Sequence, residues 1–278
     1  MFQKFYGLTR KPFEMSPDPY FYYPTLRHNE ALALLTYGVQ QRKGFVVVSG
    51  EVGTGKTLLV RCLLDSLTLH RISFAFVFNP VLNVTDFLTL LLNDLGIPLK
   101  SSSKVELLSS LNHHLLTRSR RGECTALVVD EAHLLSCELL EEIRLLTNLE
   151  TSQFKLLQIV LVGQPELEEK LDSHELRQLK QRVAMRYRLT SLGLQDVRGY
   201  IARRLERAGA NSRAVSIYSD GAIQSIYRFS GGIPRLINTI CENCLINGYS
   251  RQAKQITTDI VEEVAADLCL HCASMSAS

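Results

Sequence analysis

Eight consecutive residues constrain this chain more than any others: Gly50-Glu51-Val52-Gly53-Thr54-Gly55-Lys56-Thr57. Their spacing is G-x-x-x-x-G-K-[ST], a loop whose backbone N–H groups wrap a phosphate chain. The glycines let the main chain approach phosphate closely. A helix starting near Gly55 adds its positive N-terminal end. Such a loop belongs between a buried strand and a helix. Residues 45–48 form a short apolar run before it, and 58–67 carry helical spacing after it. The pattern predicts an ATP site built from Gly50, Glu51, Val52, Gly53, Thr54, Gly55, Lys56 and Thr57. Lys56 reaches the β- and γ-phosphates, and the Thr57 hydroxyl is a Mg²⁺ ligand.

The flanking sequence repeats the alternation. Residues 73–78, 125–129, 158–162 and 187–189 read as further strands. Helices between them are marked by Leu32, Leu35 and Val39, by Leu88, Leu91, Leu92 and Leu95, by Leu108, Leu111 and Leu115, and by Leu139, Ile143 and Leu146. The second of these stops at Gly96 and Pro98, and residues 101–103 make a loop. Strands alternating with helices predict an α/β fold, a three-layer αβα sandwich on a parallel sheet. Beyond about residue 190 only helices follow, at 195–207, 219–229, 234–249 and 258–268. The predicted organisation is a P-loop α/β domain over 1–190, a small all-helical domain over 191–270 and a flexible tail at 271–278. Residues 1–28 form a strap lying on the first domain. Four prolines in its first 25 residues argue against a regular helix, and its aromatics argue for order.

A second motif completes the chemistry. Thr125 to Val129 is apolar and ends in Asp130-Glu131. Asp130, at the carboxyl end of a strand, is placed for the Mg²⁺ shell, and Glu131 for polarising the attacking water. Asn79 ends the second strand and could hold Glu131 in an inactive pose, or simply terminate the strand. Gln164 follows the fourth strand, where an amide could orient water near the γ-phosphate. Asp130-Glu131-Ala132-His133 also spells the signature of DEAH-box helicases. Those carry two tandem α/β domains, and this chain shows one.

These residues together resemble the AAA+ family and, within it, the ExeA-like (general secretion pathway protein A) ATPases. The resemblance runs from Phe5-Tyr6-Gly7-Leu8, Lys11-Pro12-Phe13, Ser16-Pro17-Asp18-Pro19 and His28 through the two motifs above. It continues in Val162-Gly163-Gln164-Pro165-Glu166-Leu167 and Gly231-Gly232-Ile233-Pro234-Arg235, and so covers nearly the whole chain. It implies that the helical domain is an AAA+ lid. It implies an arginine finger at Arg182, just before the fifth strand, entering the neighbouring subunit's site; Arg177 and Arg186 compete for the role. Arg235 would be a sensor that contacts the γ-phosphate of its own subunit. Adenine contacts are implied near Pro17 and His28. Longer relatives continue into a membrane span and a cell-wall-binding part. The short members serve type IV pilus, exopolysaccharide or protein-sorting systems, and transposition ATPases share a similar core.

Composition sets the remaining bounds. Net charge is +3, too small to imply nucleic acid by itself. The opening MFQKFYGLTRKPF is basic and aromatic with no apolar stretch behind it, so no export signal is expected. No run of 18 apolar residues occurs, so no membrane-spanning helix is expected. The expectation is a cytoplasmic protein with its seven cysteines reduced, with peripheral attachment at the inner membrane left open. Cys241-x-x-Cys244 and Cys269-x-x-Cys272 have zinc-ligand spacing, but the first pair falls inside a helix among apolar residues. Arg118, Arg120 and Arg121 form a basic cluster, and Arg198, Arg203, Arg204 and Arg207 line a helix; interspersed acids favour a solvated face or subunit contact over DNA. The expected function is Mg-dependent ATP hydrolysis by a homo-oligomer, ring or filament, acting on cell-envelope assembly proteins. The alternative is a DNA-bound, ATP-gated adaptor of the transposition type.

Overall fold

The computed structural model describes residues 2–99, 103–210 and 217–270. The chain divides into two compact units. One comprises Leu26–Val52 and Lys56–Leu189; the other comprises Met1–Thr25, Gly53–Gly55 and Thr190–Ser278. A one-turn helix, α1 (Phe2–Phe5), opens the chain within the latter.

The first unit runs α2 (Leu26–Gln40), β1 (Phe45–Gly50), α3 (Lys56–Leu69), β2 (Ser73–Val77), α4 (Val84–Asp94), α5 (Lys104–Arg120) and β3 (Thr125–Val129). It continues α6 (Cys137–Leu146), β4 (Leu157–Gly163), α7 (Glu166–Asp172), α8 (Arg177–Arg182) and β5 (Val183–Leu189). Among the described residues the strands form one sheet in the order β2-β3-β4-β1-β5, every pairing parallel. The period of two along β1 explains its continuous apolar sequence. Phe45 and Val47 point into one core with residues of α4, α5 and α6, while Val46 and Val48 point into another with residues of α2 and α3. Both sheet faces are covered, so the three-layer αβα expectation holds. Each fully buried Leu or Val there contributes roughly 1.5–3 kcal/mol.

β5 begins at Val183, earlier than the expected 187–189. It is an edge strand in which Arg186 and Arg188 interrupt the apolar residues, so no continuous hydrophobic run announces it. Parallel pairing also brings the carboxyl ends of β1, β3 and β4 to one rim, with Ser49 beside Gly163 and Val129 beside Leu161. Ligands of open α/β sheets bind at such a rim.

The second unit holds α9 (Leu194–Arg207), α10 (Asp220–Ser230), α11 (Pro234–Ser250) and α12 (Thr258–Asp267) around Val197, Ile201, Ile226, Ile237, Ile240 and Val261. The strap through Thr25 groups with this unit rather than with the α/β one, while residues 26–28 open α2. Tyr6, Leu8, Phe13 and Phe21 are part of this core. Arg204 of α9 clasps the strap: Nε donates to Pro12 O (2.5 Å), Nη2 to Glu14 O (3.3 Å), and the guanidinium lies 4.9 Å over the Phe21 ring. The strap's aromatics add apolar area to the core of these helices. Cys241 and Cys244 are fully buried in the same core. No group of three or more metal-ligating side chains occurs among the described residues. Cys272, the tail at 271–278 and residues 101–102 of the expected loop lie outside the described residues; Ser103 is the N-cap of α5. No helix among the described residues is long and apolar enough to cross a membrane.

Candidate functional site

The phosphate loop leaves β1 at Gly50 and enters α3 at Lys56. Gly53 and Gly55 stand at φ +79° and +101°, a region where a Cβ would strain the chain. Lys56 is buried, and its Nζ donates to Gly50 O (2.7 Å) and Glu51 O (2.9 Å). Burial lowers its pKa, while the carboxylates of Glu131, Asp130, Glu51 and Glu166 oppose the shift. The ammonium therefore lies inside the loop on neutral carbonyls, where an anionic phosphate oxygen is the stronger acceptor.

Asp130 follows β3 and is 3% exposed. Its Oδ1 accepts from the Glu131 N–H at 2.9 Å, and its carboxylate is hydrogen-bonded to the Thr57 side chain. Burial raises its pKa against those two bonds. A buried carboxylate touching a hydroxyl is a hard-oxygen pair that fits Mg²⁺, an ion that takes its other ligands from phosphate and water. Thr57 and Asp130 would hold the ion, which would neutralise charge on the β- and γ-phosphates.

Glu131 has φ +51°, rare for a residue with a side chain. That turn swings its carboxylate off the strand direction. Oε2 lies 3.4 Å from His133 Nδ1, and the other ring nitrogen of His133 is 2.9 Å from the Gln164 amide nitrogen. The structure thus brings Lys56, Thr57, Asp130, Glu131 and Gln164 to the rim and adds His133. The sequence hid that residue inside a motif name; the signal was its spacing, two residues after the acid. Asn79 is exposed just past β2, and the Glu131 carboxylate faces His133 instead.

The candidate arginines are placed differently. Val183, next to Arg182, pairs with Phe45 at the amino end of β1, whereas Leu189 pairs with Gly50. Arg182 is therefore about 17 Å along the sheet from its own phosphate loop, the five steps from Phe45 to Gly50 at about 3.3 Å each. Its Nη1 donates to Thr147 Oγ1 at 3.2 Å. Arg177 contacts His174 (2.9 Å), and Arg186 pairs with Asp172 (3.4 Å). In the second unit the exposed Arg235 opens α11, and its N–H donates to Gly53 O at 3.2 Å. Gly232 before it has φ +75°, and a Cβ there would meet Leu192 O at 1.9 Å. Part of the Gly-Gly-Ile-Pro-Arg motif is therefore a backbone requirement.

Residues 39–171 match the AAA domain family. General secretion pathway protein A from Aeromonas hydrophila is 44% identical over 257 residues, 92% of this chain. Residues 39–171 are an AAA domain. The chain's relationship is to ExeA-like AAA+ proteins, although it spans about half, 46%, of that relative's length. Solved AAA+ structures share the fold. Cdc6p from Pyrobaculum aerophilum superposes with a TM-score of 0.69 at 20% identity, covering 92% of this chain and 70% of that one. The ORC2 protein of Aeropyrum pernix gives 0.64 at 14%, covering 93% and 71%. A RuvB variant from Thermotoga maritima gives 0.57 at 19%, covering 86% and 69%. At these identities the likeness speaks for the fold alone.

Proposed function

We propose that this AAA+ chain binds ATP with Mg²⁺ through Gly50–Thr57 and Asp130, hydrolyses it, and works as an oligomeric motor or switch. The observation that carries the reading is a convergence on one rim. A buried ammonium sits inside the phosphate loop beside a Thr57–Asp130 pair, and a second carboxylate, Glu131, faces the imidazole of His133, whose other nitrogen contacts the Gln164 amide. Lys56 binds the β- and γ-phosphates and stabilises charge on the transferring group. Glu131 accepts the proton of the attacking water, and Gln164 orients that water. Arg235 contacts the γ-phosphate of its own subunit, and Arg182 completes the site of the next. The helices from residue 190 serve as the lid, whose movement passes the nucleotide state to a partner.

The name of the Aeromonas relative supports a role in a secretion system, and we extend it to assembly of a cell-envelope secretion, pilus or exopolysaccharide system. The deciding experiment is the ATP hydrolysis rate with and without duplex DNA, with Lys56→Ala as the blank. Turnover above the blank and indifferent to DNA is expected. Turnover at the blank's level removes the ATPase reading. Strong stimulation by DNA, weakening steeply with salt, replaces envelope assembly with the DNA-bound adaptor.

A further inference from the structure

Glu131 and Gln164 follow different strands, yet one imidazole lies between them. His133 belongs to the 3-10 turn Ala132–Leu134, and its side chain is 12% exposed. Nδ1 faces Glu131 Oε2 at 3.4 Å. That carboxylate oxygen is buried without a standard hydrogen bond, a costly state that a nearby donor relieves. Nδ1 also accepts from the Gln164 backbone N–H at 3.5 Å, and Nε2 lies 2.9 Å from the Gln164 side-chain amide. One ring therefore touches the acid on one side and both the main chain and the amide of Gln164 on the other.

The ring is also anchored. Lys170 of α7 donates to the carbonyl oxygens of His133 and Leu135, the latter at 3.0 Å. Glu168 of the same helix accepts from Ser49 Oγ, at the end of the strand that carries the phosphate loop. One short helix thus ties the loop's strand to the turn that bears the imidazole.

On the ATPase reading above, we infer that His133 is a positioning residue for the hydrolytic step. Its ring packs against the carboxylate of Glu131 on the Nδ1 side, and its Nε2 sets the Gln164 amide. The attacking water then meets a carboxylate oxygen as base and the free end of the Gln164 amide as a second hydrogen-bond partner. The water's proton passes to Glu131 and its oxygen bonds to the γ-phosphorus. The bond from that phosphorus to the bridging oxygen breaks, and its electron pair leaves with ADP. His133 neither gives nor takes the transferred proton; it sets the geometry in which the transfer occurs.

The test is steady-state ATP hydrolysis by wild type, His133→Ala, His133→Asn, Gln164→Ala and the His133→Ala/Gln164→Ala pair. Binding of a fluorescent ATP analogue is measured alongside. The expected kcat of His133→Ala falls about a hundredfold, as misplacement of reacting groups costs, with KM and the analogue's Kd within about threefold. Because the two residues act through one contact, the double variant is no slower than the slower single. His133→Asn, whose polar amide can stand between Glu131 and Gln164, regains part of the rate and carries the test if the alanine variant fails to fold. An unchanged kcat in His133→Ala, or losses that multiply in the double variant, overturns the inference while wild-type turnover stands. Wild-type turnover no faster than Lys56→Ala is a different result, and it removes the ATPase reading itself.

Discussion

Asp130 is a carboxylate that the fold buries at a cost. It keeps two hydrogen bonds, from the Glu131 N–H and with Thr57, yet burial still pushes its pKa up. The charged form is therefore less comfortable in the folded chain than in the unfolded one. An Asn of the same shape can still accept from the Glu131 N–H and carries no charge to desolvate. Asp130→Asn should raise the melting temperature of the metal-free protein at neutral pH while abolishing Mg-dependent ATP turnover. Thermal unfolding in a chelating buffer, beside an ATPase assay, checks both halves. A lower melting temperature would mean that Asp130 stabilises the fold and that the cost assigned to its burial is wrong. Stability given up for a site in this way is common where a group is kept for chemistry.

At the level of elements, the legibility of the sequence followed the number of buried faces. β1, β3 and β4 are buried throughout, and their unbroken apolar runs named them. β5, at an edge, alternates charge with hydrophobe and was seen only at its last three residues. The phosphate loop was legible because its chemistry fixes residue types at fixed spacing. His133 was not, because its contact with Gln164 depends on how β3 and β4 end side by side. The strap's aromatics promised order but could not say which surface they cover. In the structure Tyr6 shows the answer, its hydroxyl donating to Ala253 O at 3.0 Å in the helical unit. Burial pushes the Tyr6 phenol up to about 12 from 10.0. A raised folded-state pKa favours the protonated phenol, so its contribution is whole below pH 10 and is lost as pH rises toward 12. Stability should therefore fall between pH 10 and 12, and Tyr6→Phe should make that fall shallower while costing about 1 kcal/mol at neutral pH for the lost bond. Urea unfolding at pH 7 and at pH 11 measures the difference. Equal slopes in the two proteins would show that Tyr6 ionises alike in both states.

For the whole molecule, Arg182 makes the strongest demand. It sits at the amino end of β5, beside Phe45, while the phosphate loop leaves the carboxyl end of β1. A distance of about 17 Å along a rigid strand pair is beyond any arginine side chain. If Arg182 takes part in hydrolysis, it does so on a neighbouring copy, and a single chain cannot be a complete enzyme. Mixing two inactive variants separates the cases. Lys56→Ala removes the loop's ammonium but leaves Arg182 to serve a neighbour; Arg182→Ala does the reverse. In a mixed assembly some interfaces join an intact loop to an intact Arg182, about one in four at equal mixing in a head-to-tail ring or filament. Turnover should therefore reappear on mixing, near a quarter of the wild-type rate, and should depend on total protein concentration. A mixture as inactive as its parts would leave Arg182 with its bond to Thr147 as its whole role. The same mixture made with Arg186→Ala or Arg177→Ala would then show which of the other two arginines reaches across.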